Sequence, residues 1–350
     1  MEPPLLECID LRAHYRVKLG CCRAVDGIGF LINRGENMGL VGESGCGKSS
    51  VVRAIMKVHP PNFRIESGKV LFKGRDLVPL GYDEMRKIRW REISLIPQSA
   101  MNALNPVYTI GYQIQEVILE HEDLAPKAAK KRVDELLASL GIDPARAGAY
   151  PHQLSGGMKQ RVNIAMALAL RPSLIIADEP TTALDVLVQD QIFQRILKHQ
   201  KELNCSLLLI THDISLVAEN CEQMAVMYAG KIVEYGAVGR VLTHPCHPYT
   251  LGLKNAFPSI HRPKDQPLIS IPKSPPSLID LPDQCRFATR CPFSSKVCWE
   301  VEPDALEVEP GHTAACHHMD QVEEMRDKAA RMETWDEEES PMQTRGKGRQ

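Results

Sequence analysis

Residues 38–50 read MGLVGESGCGKSS. An apolar run stops at a glycine, and Gly42, Gly45 and Gly47 with Lys48 and Ser49 fit the pattern G-x-x-x-x-G-K-[ST] between a strand and a helix, the context that this pattern needs. Glycines there let backbone amides close around phosphate oxygens, while Lys48 is placed to reach the β- and γ-phosphates and the Ser49 hydroxyl to take a Mg²⁺ position. The candidate nucleotide contacts are therefore Gly42, Ser44, Gly45, Cys46, Gly47, Lys48, Ser49 and Ser50. Cys46 fills a free position of the loop and is incidental to it.

Upstream, residues from about 5 to 41 carry short strand-like runs with turn signals between them. Downstream, KVLFKGRDL (69–77) reads as a strand and turn and REISLIPQ (91–98) as a strand entering a loop. From about 99 to 171 the texture becomes helical: IGYQIQEVILEH, then PKAAKKRVDELLASLG with proline near its start and glycine at its end, then YPHQLSGGMKQRVNIAMALAL. Alternation then returns as strand SLIIAD, helix DVLVQDQIFQRILKHQKEL, strand SLLLITH, helix DISLVAENC and strand QMAVMY. The fold class is α/β, a mostly parallel sheet with helices on its faces, interrupted by an inserted helical lobe. No repeat of solenoid or propeller type is present.

Expected boundaries are a nucleotide-binding core over 1–98 and 172–245, the helical lobe over 99–171, a C-terminal extension over 246–318 and a charged tail over 319–350. The prolines of HPYTLGLKNAFPSI and IPKSPPSLIDLP argue against continuing the same sheet past about residue 245. The tail is so charged that disorder is expected, a short amphipathic helix near 322–332 being the competing reading.

With 42 basic and 44 acidic residues among 350, the chain lacks the positive field of a nucleic-acid binder. Its longest apolar runs fall short of the roughly 18 to 20 residues that span a bilayer, and its start lacks the basic and apolar regions of a signal peptide. A cytosolic location is expected. Of its 11 cysteines, Cys8, Cys21, Cys22, Cys205, Cys221 and Cys246 are scattered and read as packing or loop residues. Cys285, Cys291, Cys298 and Cys316 crowd together as a four-thiolate set, in a compartment where clustered thiols bind metal more often than they pair. Their spacing alone leaves zinc and an iron–sulfur cluster both open.

SLIIADEP (173–180) puts two carboxylates at the C-terminal end of a buried strand, where open α/β sheets bind ligands. Asp178 suits the Mg²⁺ shell, and Glu179 is placed to polarise an attacking water. His212 ends the next apolar strand on the same edge, within reach of a γ-phosphate. Gln98 leaves the sheet where the helical lobe starts, placed to sense the metal and move the lobe.

GESGCGKSS, Gln98, LSGGM, LIIADEP, TTALD and ITHD, in that order and spacing, resemble the nucleotide-binding subunit of an ATP-binding cassette transporter across about residues 5–245. The resemblance implies a P-loop NTPase cassette with antiparallel N-terminal strands, ATP and Mg²⁺ as ligands, and Tyr15 as the aromatic stacked on adenine. It also explains why a second phosphate-type motif, LSGGM, opens a helix in the inserted lobe. Two cassettes meet head to tail, so that Ser155, Gly156 and Gly157 of one close over the γ-phosphate bound by the other, with Asp185 crossing the seam. Met158 stands where the family usually has glutamine, so the amide's hydrogen bonds are lost there.

HPYTLGL, IPKSPPSLIDLP, CRFATRCPF and GH-x-x-A-C are similar to the C-terminal extension of dipeptide/oligopeptide-type importer ATPases, in which such cysteines hold a [4Fe–4S] cluster. For Cys285, Cys291, Cys298 and Cys316 the resemblance thus favours a [4Fe–4S] centre over zinc, with His312, His317 and His318 close enough in sequence to compete as ligands. The implied partners are a second cassette subunit, a paralogue rather than a second copy, two transmembrane permeases and, indirectly, an extracytoplasmic solute-binding protein, with no nucleic acid. The implied location is the cytoplasmic face of the inner membrane. A soluble cassette ATPase that remodels ribosomes or nucleic acid is the competing class, disfavoured by the single cassette and near-neutral charge.

Overall fold

The computed structural model describes residues 3–98, 103–180, 186–256 and 269–335. Twelve strands form two sheets among them. β1 (Leu6–Val17), β2 (Gly20–Ile32), β4 (Phe63–Phe72) and β5 (Arg75–Asp76) make an antiparallel sheet in the order β2-β1-β4-β5. The larger sheet runs β11-β12-β10-β9-β3-β8-β7-β6, from β3 (Asn37–Val41), β6 (Ile93–Ile96), β7 (Leu174–Asp178), β8 (Ser206–Thr211), β9 (Gln223–Tyr228), β10 (Lys231–Ala237), β11 (Leu306–Glu309) and β12 (His312–Ala314). β6, β7, β8, β3 and β9 pair in parallel, and the remaining edge is antiparallel.

The parallel strands are apolar through their middles, with polar residues mainly at their ends, because both faces are covered. Ile175, Ala177, Leu207 and Leu209 face a core shared with the helical lobe, while Leu174, Ile176, Leu208 and Ile210 face a second core under the antiparallel sheet. At about 25 cal/mol per Å² of apolar surface, each such residue contributes roughly 1.5–3 kcal/mol, so a polar substitution on either face is costly.

The helical lobe comprises Ile110–His121, Pro126–Ser139 and Gly156–Leu168. Thr109 caps the first by accepting the Tyr112 N–H on its hydroxyl, and Pro126 opens the second, where a missing N–H costs nothing. Gly141, at φ 71°, lets the chain leave that helix. Ile110, Ile114 and Ile118 of one helix and Ala129, Val133 and Leu137 of the next are buried at helical spacing, which packs the lobe on the first core.

Two expectations for the C-terminal region are corrected. The chain does rejoin the main sheet: β12 pairs antiparallel with β10 through Glu234↔Ala314 and Tyr235↔Thr313. The prolines exclude only the segments that contain them, and Pro310 with Gly311, at φ 74°, turns the β11–β12 hairpin. Nor is the start of the tail disordered. A helix spans Val322–Ala329 and a 3₁₀ turn Met332–Trp335, the alternative that a short amphipathic helix represented. Met325, Ala329 and Trp335 are buried in the first core, the Trp335 indole N–H donates to Ala329 O at 3.0 Å, and Arg326 Nε donates to Pro245 O at 2.9 Å. Three apolar side chains sufficed because they meet an existing core rather than having to build one. Residues 336–350 lie outside the described part. Among the described residues, no helix is long and apolar enough to cross a membrane.

Candidate functional site

The loop after β3 is shaped by glycine where no other residue fits. Gly47, at φ 115°, would place a Cβ 2.0 Å from Ala24 O, and Gly42 one 2.1 Å from Met227 O. Helix Lys48–Met56 follows, and its first residues line a cleft of about 350 Å³. Tyr15, Ser44, Gly45, Gly47, Lys48, Ser49, Ser50, Gln98 and Glu179 line that cleft. Gly42 and Cys46 are buried behind the loop; Cys46 is held protonated by burial, in keeping with an incidental role. Lys48 Nζ donates to Gly42 O at 2.6 Å and Glu43 O at 2.9 Å, so the cation already lies along the loop.

Tyr15 stands at the cleft wall with its hydroxyl 3.2 Å from Ser50 Oγ and accepting from Arg53 Nη1 at 2.6 Å. Its ring packs edge-on against Phe63, with centroids 4.8 Å apart. Cys22, Ala24 and Leu278 complete the wall. Sequence reasoning missed these three, and Leu278 carries no local signal at all: it arrives from the C-terminal region, where its carbonyl accepts the Arg23 N–H at 2.9 Å.

Asp178 and Glu179 follow β7 onto the same edge. Asp178 is buried, bonds the Ser49 hydroxyl and has its Oδ1 without a protein partner. Burial raises its carboxyl above the usual carboxylate range, opposed by the Ser49 hydrogen bond. An orphaned anionic oxygen beside a hydroxyl is the donor set that a hard cation such as Mg²⁺ takes, and the residues fit it. Glu179 adopts φ 46°, a conformation costing a non-glycine residue about 1 kcal/mol and concentrated at functional sites. Its Oε2 accepts from Gln98 Nε2 at 2.7 Å, and its Oε1 lies 3.5 Å from His212 Nδ1. Gln98, expected near the metal, thus contacts Glu179 directly. His212 is exposed beside it, on the edge where the sequence placed it.

Ser155 caps helix Gly156–Leu168, accepting the Met158 N–H at 3.4 Å. It is exposed, and neither it nor Gly156 nor Gly157 lines the cleft of its own chain. Met158 packs its side chain against the lobe's core, a use that glutamine would serve poorly. Asp185 lies outside the described residues.

The C-terminal cysteines converge. Burial first and neighbouring cysteines second raise the Cys285, Cys291 and Cys316 thiols, Cys285 to about 12 and Cys316 to about 11. Backbone N–H groups turn onto the sulfurs: Phe287 onto Cys285, Phe293 onto Cys291, and His318 onto Cys316 at 3.4 Å. His318 Nε2 lies 3.6 Å from Cys298 Sγ, His317 bonds Val301 O, and His312 bonds Glu234. Among the described residues, no three of the four sulfurs lie within 4.8 Å of one another. Glu234, Cys246 and His312 do meet that distance, but Glu234 already accepts the Cys246 and His247 N–H groups as well as His312, a structural tie across β10 and β12.

A phosphate loop after β3, paired carboxylates at the end of β7 on the same sheet edge and an exposed signature serine capping a helix of an inserted lobe define an ATP-binding cassette ATPase. Residues 25–182 match the ABC transporter family, and residues 233–298 the C-terminal region of oligopeptide/dipeptide transporters. The oligopeptide transport ATP-binding protein OppD of Bacillus subtilis is 44% identical over 88% of this chain and 87% of its own. The dipeptide transport ATP-binding protein DppD of Escherichia coli is 43% identical over 90% and 96%. A dimeric ATP-binding cassette in a post-hydrolysis state bound to ADP and Pi superposes with a TM-score of 0.61 at 27% identity, covering 67% of this chain and 98% of that one. The chain belongs to the ATP-binding subunits of oligopeptide/dipeptide-type ABC transporters.

Proposed function

We propose that this chain powers uptake of peptides, or a related small solute, through separate permease subunits, by ATP-driven closure against a second cassette. The match of its C-terminal region to oligopeptide/dipeptide transporters carries this reading over ribosome or nucleic-acid remodelling. Lys48, the loop amides of residues 44–50 and Tyr15 bind ATP; Ser49, Asp178 and Gln98 would hold Mg²⁺, which supplies charge neutralisation between the phosphates. Glu179 draws a proton from the attacking water, while Gln98 and His212 orient Glu179 and the γ-phosphate. Because Ser155, Gly156 and Gly157 do not line their own cleft, they serve the partner cassette's nucleotide, with Asp185 coupling the two sites. The partner is a paralogue in preference to a second copy.

Permeases dock beside Gln98. An apolar groove of about 260 Å³ lined by Met56, Val58, Trp90, Leu95, Pro97 and Met166 opens there between core and lobe, and it couples closure to the membrane parts and, through them, to an extracytoplasmic binding protein. On this reading the chain works on the cytoplasmic face of the inner membrane, held there by its permeases. Co-purification of the tagged chain from solubilised membranes of its own cell should bring down two integral membrane proteins and a second cassette. Val58→Glu, at an exposed position of the groove, should lose them, and recovery of wild-type chain without any membrane protein would refute the reading.

For the cysteine set we propose a [4Fe–4S] cluster that staples the C-terminal region. The resemblance of CRFATRCPF and GH-x-x-A-C to the extension of dipeptide/oligopeptide-type importer ATPases supports this centre over zinc, and backbone N–H groups aimed at three of the sulfurs suit thiolate ligands. Anaerobically purified protein is expected to hold iron and acid-labile sulfide in equal amounts with little zinc. Cys291→Ser should lose most of both; unchanged metal content would remove Cys291 from the ligands.

A further inference from the structure

The phosphate loop is gripped from behind by the C-terminal region. Glu43, its second residue, donates its N–H to the Tyr249 phenol oxygen at 2.9 Å, and its carbonyl accepts from Lys48 Nζ at 2.9 Å. Its carboxylate takes both terminal nitrogens of Arg290, at 2.8 and 3.0 Å. That bidentate pairing draws the carboxylate out of the cleft, which Ser44 and Gly45 line and Glu43 does not.

Neither holder belongs to the cassette. Arg290 is aimed before it meets Glu43: its side chain is only 3% exposed, and it also donates to Pro272 O at 2.8 Å and to the Tyr228 hydroxyl at 3.4 Å. Tyr249 is fully buried in an aromatic cluster, with its ring centroid 4.6 Å from that of Tyr228 and 5.5 Å from that of Phe287. The arrangement is a rigid backing for a loop whose three glycines at positive φ leave it many other shapes.

We infer that Arg290 and Tyr249 are positioning residues for the triphosphate: by pinning Glu43 they hold the phosphate loop in its accepting shape, so that the C-terminal region sets part of the affinity for ATP. Apparent affinity scales with the fraction of molecules already in the competent shape. A freed Glu43 carboxylate would in addition bring a negative charge back toward the phosphates, and Arg290 removes that repulsion. The hydrolytic step lies on Glu179 and is not addressed by either residue, which separates this role from catalysis.

The inference rests on the nucleotide reading of the cleft, and the test separates the two by including Lys48→Ala as a control. Full-length variants are titrated with a fluorescent ATP analogue and assayed for steady-state hydrolysis. Tyr249→Phe, which leaves the Glu43 N–H unpaired, and Glu43→Gln, which keeps the shape, should each raise Kd and KM for ATP about three- to tenfold. Turnover at saturating ATP should stay within about twofold of wild type. Arg290→Ala should cost more and Arg290→Lys recover part of the loss, while adding Glu43→Gln to Arg290→Ala should cost nothing further, because one contact is broken twice, and should recover the part due to the freed charge. Should Arg290→Ala fail to fold, the two conservative variants still decide. Wild-type KM in Tyr249→Phe and Glu43→Gln, with binding lost in Lys48→Ala, would overturn the inference alone; so would fully additive effects or a fall in turnover at unchanged KM. Unaltered binding in Lys48→Ala would instead overturn the nucleotide reading itself.

Discussion

Glu179→Gln should bind ATP as wild type does and lose steady-state hydrolysis by a factor of about 10² to 10⁴, the usual worth of a positioned general base. The substitution is nearly isosteric. A glutamine carbonyl can still accept from Gln98 Nε2, which now lies 2.7 Å from Oε2, so the geometry survives while the proton acceptor is lost. With hydrolysis blocked, the closed pair of cassettes has no route back to the open state except ATP dissociation, and it should accumulate. Sedimentation of the variant with its partner cassette, with and without ATP, reads the trapped pair, and radiolabelled phosphate release reads turnover. Normal turnover would remove Glu179 as the base and leave the exposed His212 as the remaining proton acceptor beside the γ-phosphate position.

Lys48→Ala should weaken ATP binding by roughly 10²- to 10⁴-fold. The ammonium donates to Gly42 O and Glu43 O, and in the bound state it trades those neutral acceptors for anionic phosphate oxygens. Charge-assisted hydrogen bonds are worth about 1.5–3 kcal/mol each, and two of them convert to a change of that order. The fold should tolerate the loss, because the two carbonyls left behind border the open cleft and can bind water. Calorimetric titration with ATP measures the affinity, and thermal melting without nucleotide verifies that the loop alone has changed. Wild-type affinity would move the phosphate site away from this loop.

The two variants fail in different ways, and that difference is informative about the division of labour at the sheet edge. In the proposed mechanism Lys48 acts on the ground state, so its removal should be felt in binding, and Glu179 acts when the water attacks, so its removal should be felt only in turnover. Asp178 lies between them, with a buried carboxyl held above its usual range and one oxygen without a protein partner. The protein bears that desolvation cost at the point where the proposed Mg²⁺ would be held, as expected of a local sacrifice of stability for function.

Reading along the chain, strand and helix positions were largely legible because their signals are local. The continuous apolar runs around Leu40, Ile176 and Leu208 announced strands buried on both faces, and Pro126 and Gly141 marked helix ends. The phosphate loop, the carboxylate pair, His212 and the serine-glycine cap at Ser155 were equally legible, since each depends on a few adjacent residues and on which end of a strand they occupy. Long-range partnerships were not. Gln98 and Glu179 are 81 residues apart, and only the side-by-side placement of β6 and β7 brings the amide onto the carboxylate.

The C-terminal region shows the limit most clearly. Prolines signalled an irregular segment correctly, but nothing in residues 306–314 announced that their hairpin would extend the main sheet on the free edge of β10. Charge in the tail suggested disorder, because composition cannot reveal that Met325 and Trp335 meet a core built elsewhere. Arg290 reads in sequence as a charged residue between two cysteines, yet it is 247 positions from the glutamate it grips.

The sequence by itself thus determined the cassette and the ATPase class, because these reside in short motifs whose conformations are set by steric limits on a few φ and ψ angles. Only the tertiary structure decided what stands behind the phosphate loop. A hydrogen bond or ion pair between distant residues depends on how whole layers of the fold stack, and no local preference encodes that distance.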